Sequence, residues 1–594
     1  VISAEKVPTG SSGAILGGDT RARIFSTRAI MTTSLRLPTA VWVLLAVGLV
    51  ASVLALIPGL AAIPPQIESD YAYQLLAADR FLAGYGFTTL QPIAPGQPWD
   101  FQYEWGFLTK WPVGYSMLVA AVRSAFSCSA IQASRVIGIV ACAFAMVGWF
   151  IWSRRMTPSG VSGLLIGVTA VSAGLVAGYL INPSTDVFLV AAIPFLLLCT
   201  HSATVINETA KSSPFSRVKW LALAGLLSGS LFWLRYASVF IPAGIGSYLI
   251  WTWLISRRAK GQSRVTPRDH EFTPPLPAKH IVLFACSAAI PIVALLLTNQ
   301  LLGSAESLQA QVNLGHRVGF NMSLSLIWQA WWQFTDLGYY NHHAISHWAI
   351  ALWPGCLLVI SLLMPAWRRV VVTCLSQPAA RLCACVLLTF LTMIILVTAM
   401  FGDKFDFVNL ARYYTPLRPM YFLLFVAPLA FVSSRLVRCS LCLALLICCS
   451  WTSQQQWLRT YHRWARADRV TSPYGAWSRC FEPESDQLFS HLRSVADDHL
   501  ILVSNFHEYL AMETALPTLP IPTDQASLNR WVSKISASRR IEHPRVMFVL
   551  DSDNQWRDYW IKDRRKIETE FALRPLPMDF GDEGAKVYLY TTGT

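Results

Sequence analysis

Apolar runs of roughly 17–25 residues, each long enough to cross a bilayer, recur along this chain between about residue 38 and residue 451. A soluble core cannot absorb so many. The chain is 54% hydrophobic and only 14% charged, against about 25% charged in soluble domains. These features specify a polytopic α-helical membrane protein with membrane lipids as its surroundings. The 23 Trp agree with this, because Trp favours the membrane–water interface. Spans are expected near 38–60, 131–152, 160–181, 186–204, 219–234, 237–256, 281–302, 347–365, 382–401, 415–433 and 437–451.

Charge settles how these spans are threaded. The net charge is +14, but the positive residues sit in short loops between spans. There they fix topology rather than mark a nucleic-acid surface. The segment Trp111–Ser127 is apolar but short, opens with Trp-Pro and carries Arg123. If it does not span, then Arg21, Arg23, Arg28 and Arg36, the Arg154-Arg155 pair, Lys211, Arg217 and Lys219 all lie inside. So do the basic residues at 257–268, the Arg368-Arg369 pair, Arg435 and Arg438. If it did span, every later basic loop would move outside. It is therefore expected to lie on the outer surface, inside a long first external loop of about 61–130. About eleven spans result, with an inside N-terminus and an outside C-terminus.

Residues 1–37 are expected to be a disordered tail. They are polar, with no apolar signal-peptide core. Met31 is an alternative start, and the first span would act as an uncleaved anchor. Most of the 13 Cys lie in apolar spans and behave as small hydrophobes. Only Cys128 and Cys480 fall outside the membrane, where a disulfide between them is an option. After Trp451 charged residues become common and the apolar runs shorten. His499–Asn505, Arg545–Leu550 and Ala585–Tyr590 read as buried strands, with helices at Ala526–Ala537 and Trp556–Phe571. Residues 452–594 thus read as a small external α/β domain beside a membrane domain at 38–451.

The outer face collects a selected set of polar residues. Glu68, Asp70, Asp79, Arg80, Asp100, Glu104 and Lys110 lie in the first loop, where a short helix is ended by Gly84-Tyr85-Gly86. Asp186 lies in the turn after the third span, and Arg235 between the fifth and sixth. A loop at about 303–346 brings His316, Asp336, His342 and His343, with His347 following. The turn before the tenth span holds Asp403, Lys404, Asp406, Arg412, Tyr413 and Arg418. Lys and Arg bind phosphate, Arg through two parallel bonds, and a carboxylate can take a proton from an attacking hydroxyl. Such a set suits a lipid-phosphate substrate.

Each residue also has a plainer reading. Ser69 can cap the helix, with Asp70 in its first turn favouring the helix dipole. Asp186 can be a turn residue after Asn182-Pro183. An Arg at a span end can snorkel to the interface. His343 and His347 stand four apart, but no metal motif accompanies them, so interfacial polar residues are expected there. Trp331-Trp332 and Tyr339-Tyr340 are read as interfacial anchors, with a sugar site as the alternative.

The order of these motifs resembles the GT-C superfamily of integral-membrane glycosyltransferases, which includes protein O-mannosyltransferase-like and aminoarabinose transferase-like enzymes. The resemblance covers about 38–450. It rests on Asp70-Tyr71 after the first span, Gly84-Tyr85-Gly86, Trp111-Pro112-Val113-Gly114-Tyr115, Asp186, and Arg412-Tyr413-Tyr414-Thr415-Pro416. Many relatives carry adjacent acidic residues in the first loop, whereas Ser69 here separates Glu68 from Asp70.

The resemblance implies a transferase that moves a sugar from a polyprenyl-phosphate donor to an acceptor hydroxyl on a lipid, glycan or protein, inverting the anomeric carbon. Asp70 would be the catalytic base. Arg412 would anchor the donor phosphate, with Lys404 or Arg235 in support. Asp186 would bind acceptor or metal. Glu68 has the same option but is read first as a solvated neighbour. Tyr71, Trp111, Tyr115 and Tyr413 would line the substrate cavity. No cofactor is required, and a divalent metal is an open alternative. The place implied is a bacterial inner membrane, with the site and C-terminal domain extracytoplasmic. The alternatives are a transporter or channel, disfavoured because the spans carry almost no charge, and a scaffold presenting its external domain. The enzyme reading requires Asp70, Asp186 and Arg412 to converge.

Overall fold

The computed structural model describes residues 69–92, 101–158, 160–172, 185–205, 214–261, 276–303, 322–335, 359–401, 413–465, 483–505, 507–522, 524–550, 564–576 and 586–590, with a few positions near 43–48 and 352–356. Among these, five helical segments are long and apolar enough to cross a membrane: Ala130–Met156, Thr185–Thr204, Tyr236–Arg257, Ala278–Leu302 and Pro378–Val397. Shorter apolar helices lie at Val161–Val171 and Thr415–Phe431. The chain is an integral membrane protein. Most of the expected first span, and much of the eighth, lie outside the described residues.

The first loop contains a helix, α1 (Ser69–Leu82), then an antiparallel hairpin of β1 (Thr88–Pro92) and β2 (Phe101–Phe107), then α2 (Gly114–Phe126). With 13 residues, α2 is too short to cross a bilayer at 1.5 Å per residue. It is separate from α3 (Ala130–Met156) for a local reason. Ser127 takes a left-handed conformation, and Ser129 then caps α3 in a reciprocal box with Gln132. Within the loop, α1 ends at Gly84 and Gly86, whose φ of +88° and +72° few other residues adopt. An ion pair between Asp79 and Arg123 ties α1 to α2. Burial pushes the Asp79 carboxyl up, and Arg123 draws it part of the way back. Cys128 is a free thiol. Cys480, its suggested partner, lies outside the described residues.

Next come α4 (Val161–Ser172), α5 (Thr185–Thr204), α6 (Pro214–Ser230), α7 (Phe240–Gly261), α8 (Ala278–Leu302), α9 (Leu324–Thr335), α10 (Pro365–Ser376), α11 (Pro378–Phe401), α12 (Arg418–Val426) and α13 (Arg435–Ala465). Their pairings carry directional information. Along α6 and α8 the contacts advance together: Gly225 faces Phe284 and Ser287, and Gly229 faces Ala288 and Pro291. These two helices run parallel. Along α7 and α11 they run in opposite order, Phe240 against Phe390 and Gly244 against Val386. The expected threading requires this parallel pair and this antiparallel pair. Between apolar helices in lipid, close backbone approach at small residues supplies much of the attraction. A Cβ at Gly229 would stand 2.1 Å from the Ala288 carbonyl oxygen.

Helix α13 runs on past Trp451, where the membrane part was expected to end, to Ala465. The polar residues after Trp451 do not break the helix. Beyond it lie α14 (Pro483–Val495), β3 (Leu500–Ser504), α15 (His507–Thr514), β4 (Thr518–Leu519), α16 (Gln525–Arg539), β5 (Arg545–Leu550), α17 (Arg564–Glu570), β6 (Arg574–Pro575) and β7 (Lys586–Tyr590). The strands form one sheet in the order β4-β3-β5-β7-β6. The three strands expected from sequence are its centre.

Side chains of this sheet alternate between two cores. Ile501, Val503, Val546 and Phe548 meet Leu528, Trp531, Val532 and Ile535 of α16. Leu500, Leu502, Met547 and Val549 face the other way, into a core shared with α14, α15 and the first loop's α1 and α2. The sheet is therefore joined to the membrane part through α1. We expect Gly229→Leu to overpack the α6–α8 contact and cost about 1–3 kcal/mol, read as a lowered unfolding temperature of the detergent-purified protein with helix content retained before melting.

Candidate active site

Helix α1 begins at Ser69, and Asp70 lies in its first turn. A carboxylate there is favoured by the positive end of the helix dipole. The next residues point in different directions, as a period of 3.6 requires. Tyr71, 4% exposed, turns toward α5, and its hydroxyl lies 3.3 Å from Thr185 Oγ1. Its ring packs edge-on against Tyr115 at 5.9 Å. Tyr73 faces α15 of the C-terminal part, stacked on Trp111 at 5.0 Å and edge-on to His507 at 6.3 Å.

Thr185 opens α5, and the residue after it is Asp186. Its carboxylate forms an ion pair with Arg235; the side chains are only 5% and 12% exposed. Arg235 reaches Asp186 because α6 stops at Ser230 and gives way to two short 3-10 turns, Leu231–Trp233 and Tyr236–Val239. Between the turns Arg235 is extended, at φ −157° and ψ 127°, which takes its side chain out of the helical spiral. The other side of the guanidinium meets the Tyr413 ring, 4.6 Å from its centroid.

The surroundings brace this turn. The Trp233 indole donates to the Pro291 carbonyl at 2.8 Å. The Tyr236 hydroxyl donates to the Thr109 carbonyl at 2.7 Å and accepts from Asn299 Nδ2 at 2.9 Å. Gly114 lies so close that a Cβ there would stand 2.4 Å from the Trp233 carbonyl oxygen. The Trp-Pro-Val-Gly-Tyr segment thus seats α2 on the turn that carries Arg235. Tyr115, 1% exposed, is held by a 2.6 Å hydrogen bond with Ser134. Burial pushes its hydroxyl up, and the Ser134 bond draws it part of the way back.

Of the residues singled out from sequence, the structure thus brings together Tyr71, Tyr115, Asp186, Arg235 and Tyr413, from five separate elements. Trp111 stands apart from them, on Tyr73, with the Lys110 ammonium 4.5 Å from its ring centroid. Glu68, Lys404, Arg412, His342, His343, His347, Tyr339 and Tyr340 lie outside the described residues, and Asp70 is described by its backbone alone. Arg412 is the chain neighbour of Tyr413. Trp331 packs on Tyr421 and Phe334 rather than standing free at an interface.

Two features escaped the sequence reading. Arg418, at the start of α12, is 2% exposed, a buried guanidinium five positions after Tyr413. Tyr73 was passed over for Tyr71, although an aromatic two positions along a helix must serve another face. Among the described residues no three His, Cys, Asp or Glu side chains gather to hold a metal. Asp186 is the described carboxylate nearest to such a role, and its charge is engaged by Arg235.

No protein-family model matches the sequence, and no curated protein matches it. Solved structures do. ArnT from Cupriavidus metallidurans bound to undecaprenyl phosphate superposes with a TM-score of 0.55 at 10% identity, over 93% of this chain and 99% of that one. Its apo state gives 0.51 at 11% identity, over 93% and 98%. At this identity the likeness shows that the chain shares the fold of these ArnT structures.

Removing one member of a buried ion pair strands the other charge, which typically costs about 3–5 kcal/mol. Asp186→Asn is expected to destabilise the protein on that scale, and a further Arg235→Met to recover much of the loss in thermal unfolding. Tyr73→Leu keeps apolar bulk but gives up two aromatic contacts of about 0.5–1.5 kcal/mol each. Amide exchange should then quicken in α15 and stay unchanged in α16.

Proposed function

We propose that the protein is a membrane glycosyltransferase that moves a sugar from a polyprenyl-phosphate donor to an acceptor hydroxyl at the extracytoplasmic face, inverting the anomeric carbon. One observation carries this reading. Tyr71, the neighbour of Asp70 in the first turn of α1, reaches Thr185, the neighbour of Asp186, and Asp186 pairs with the Arg235 that lies against the Tyr413 ring, in a chain with the fold of the ArnT structures. A scaffold has no need of this convergence. The undecaprenyl phosphate held by the similar ArnT structure supports a polyprenyl-phosphate donor.

In this mechanism Asp70 takes the proton of the acceptor hydroxyl. The freed oxygen attacks the anomeric carbon as the bond from that carbon to the phosphate oxygen breaks, and the electron pair leaves with the lipid phosphate. Arg412, with Lys404 or Arg235, stabilises the charge that grows on the phosphate. Asp186 and the Tyr413 ring hold the Arg235 guanidinium in one orientation, so that no reorganisation is needed as that charge develops. An oriented guanidinium suits the paired oxygens of a phosphate. Glu68 stands beside the base as a solvated neighbour. Asp186 and Glu68 are the carboxylates that a divalent cation or the acceptor would engage, and a phosphate leaving group with arginine partners can depart without a metal. A bacterial inner membrane, with the C-terminal sheet outside, is the setting this chemistry fits.

The purified protein, assayed against a panel of polyprenyl-phosphate sugars, should turn over at least one of them. Asp70→Asn should lower the rate about 10²- to 10⁴-fold, the usual contribution of a general base, with donor binding retained. Arg412→Ala should weaken both donor binding and rate. Full activity in both variants would overturn the residue roles. A panel in which nothing binds or reacts would overturn the enzyme class.

A further inference from the structure

The end of the bundle opposite Asp186 carries buried guanidinium and imidazole nitrogens that no described group satisfies. The parallel pairing of α6 and α8, which sets Gly225 against Phe284, also places the two helix starts side by side. Arg217 lies at the start of α6, and its Nη2 is buried without a hydrogen-bond partner. His280 lies in the first turn of α8. It is 9% exposed, and its Nδ1 also lacks a partner. Lys279 is the chain neighbour of His280, and the α6–α8 pairing brings Arg217 to the same end. Helix α8 opens at Pro277 with no side chain capping its first turn, so the positive end of a 25-residue helix adds to the same spot.

Neither α6 nor α8 contains an Asp or Glu along its whole length. Just along the helices, Trp220 and Val282 are 40% and 60% exposed, an apolar surface suited to lipid tails. Buried donors with a positive surround, beside an acyl-chain surface, match a phosphate at the membrane boundary.

We propose that Arg217, Lys279, His280 and the start of α8 form a phosphate-binding site, filled by the headgroup of an anionic phospholipid or by free phosphate. Its position, at the other end of the bundle from the Asp186–Arg235 pair, makes it independent of the proposed transferase site.

The test uses the full-length protein in a neutral detergent. Phosphatidylglycerol, phosphatidylcholine and inorganic phosphate are titrated separately while the unfolding temperature is followed, and retained lipid is weighed by native mass spectrometry. Phosphatidylglycerol should stabilise the protein at concentrations where phosphatidylcholine does not. The double variant Arg217→Gln/His280→Gln should bind it about tenfold more weakly, the change expected for one lost charge-assisted hydrogen bond. Should the double variant fail to fold, Arg217→Lys and His280→Asn, each alone, are judged by the same loss of preference. If inorganic phosphate reproduces the shift, and the variants abolish it, the ligand is free phosphate. Equal binding by wild type and variants, or no preference over phosphatidylcholine, would show an ordinary hydrated basic surface and overturn the proposal.

Discussion

A carboxylate and a guanidinium buried against each other hold the outer end of this molecule in one arrangement. Taking two charges out of water is costly, and their attraction offsets the cost only where geometry and neighbouring contacts are good. Asp186 and Arg235 meet that condition because their elements have no slack. Asp186 sits in the first turn of α5, and Arg235 is fixed between two 3-10 turns that Trp233, Tyr236 and Gly114 pin in place. The pair therefore sets the relative position of α5, the turn after α6, and the strand of chain that enters α12 through Tyr413.

The same arrangement decides where the first loop can lie. Tyr71 docks α1 on the residue beside Asp186, and α2 rests on the turn beside Arg235. Together α1 and α2 form a layer between the membrane helices and the C-terminal sheet. The sheet completes the layer through α14 and α15, in a core that also takes in Ala130, Ala133 and Ile137 of α3. Position at the site is thus transmitted to the far sheet in part through α1, two of whose faces are buried.

Much of this was legible in the sequence, for physical reasons that can be named. Span-length apolar runs mark out the membrane helices, and the odd and even order of the later runs fixes the relative directions seen in the α6–α8 and α7–α11 pairs. Gly84 and Gly86 announced the end of α1, and the β3, β5 and β7 strands were clear from their short apolar runs. The hairpin was missed although Phe101, Tyr103, Trp105 and Phe107 alternate with polar or small residues, a period-two signal hidden among aromatic residues that also suit an interface. The sequence reading gave α13 only its membrane part, up to Trp451, and the helix continues to Ala465. Asp186 and Arg235 were each picked out, but their pairing was not, since no spacing rule links residues from different helices. Arg418 looked like one more cation at a span end, and only packing reveals that it is buried.

The layered position of α1 has a consequence for the order in which the molecule can be made. Its inner face finds partners as soon as α2, α3 and α5 are inserted. Its outer face, with Tyr73 and the core shared with Leu502, Met547 and Val549, waits for strands encoded hundreds of residues later. Synthesis proceeds at about 5–20 residues per second, so that apolar surface stands uncovered for tens of seconds on every nascent chain. The interval is long enough for chaperones to act on it, and completion of the sheet closes it only when β5 and β7 have both been made.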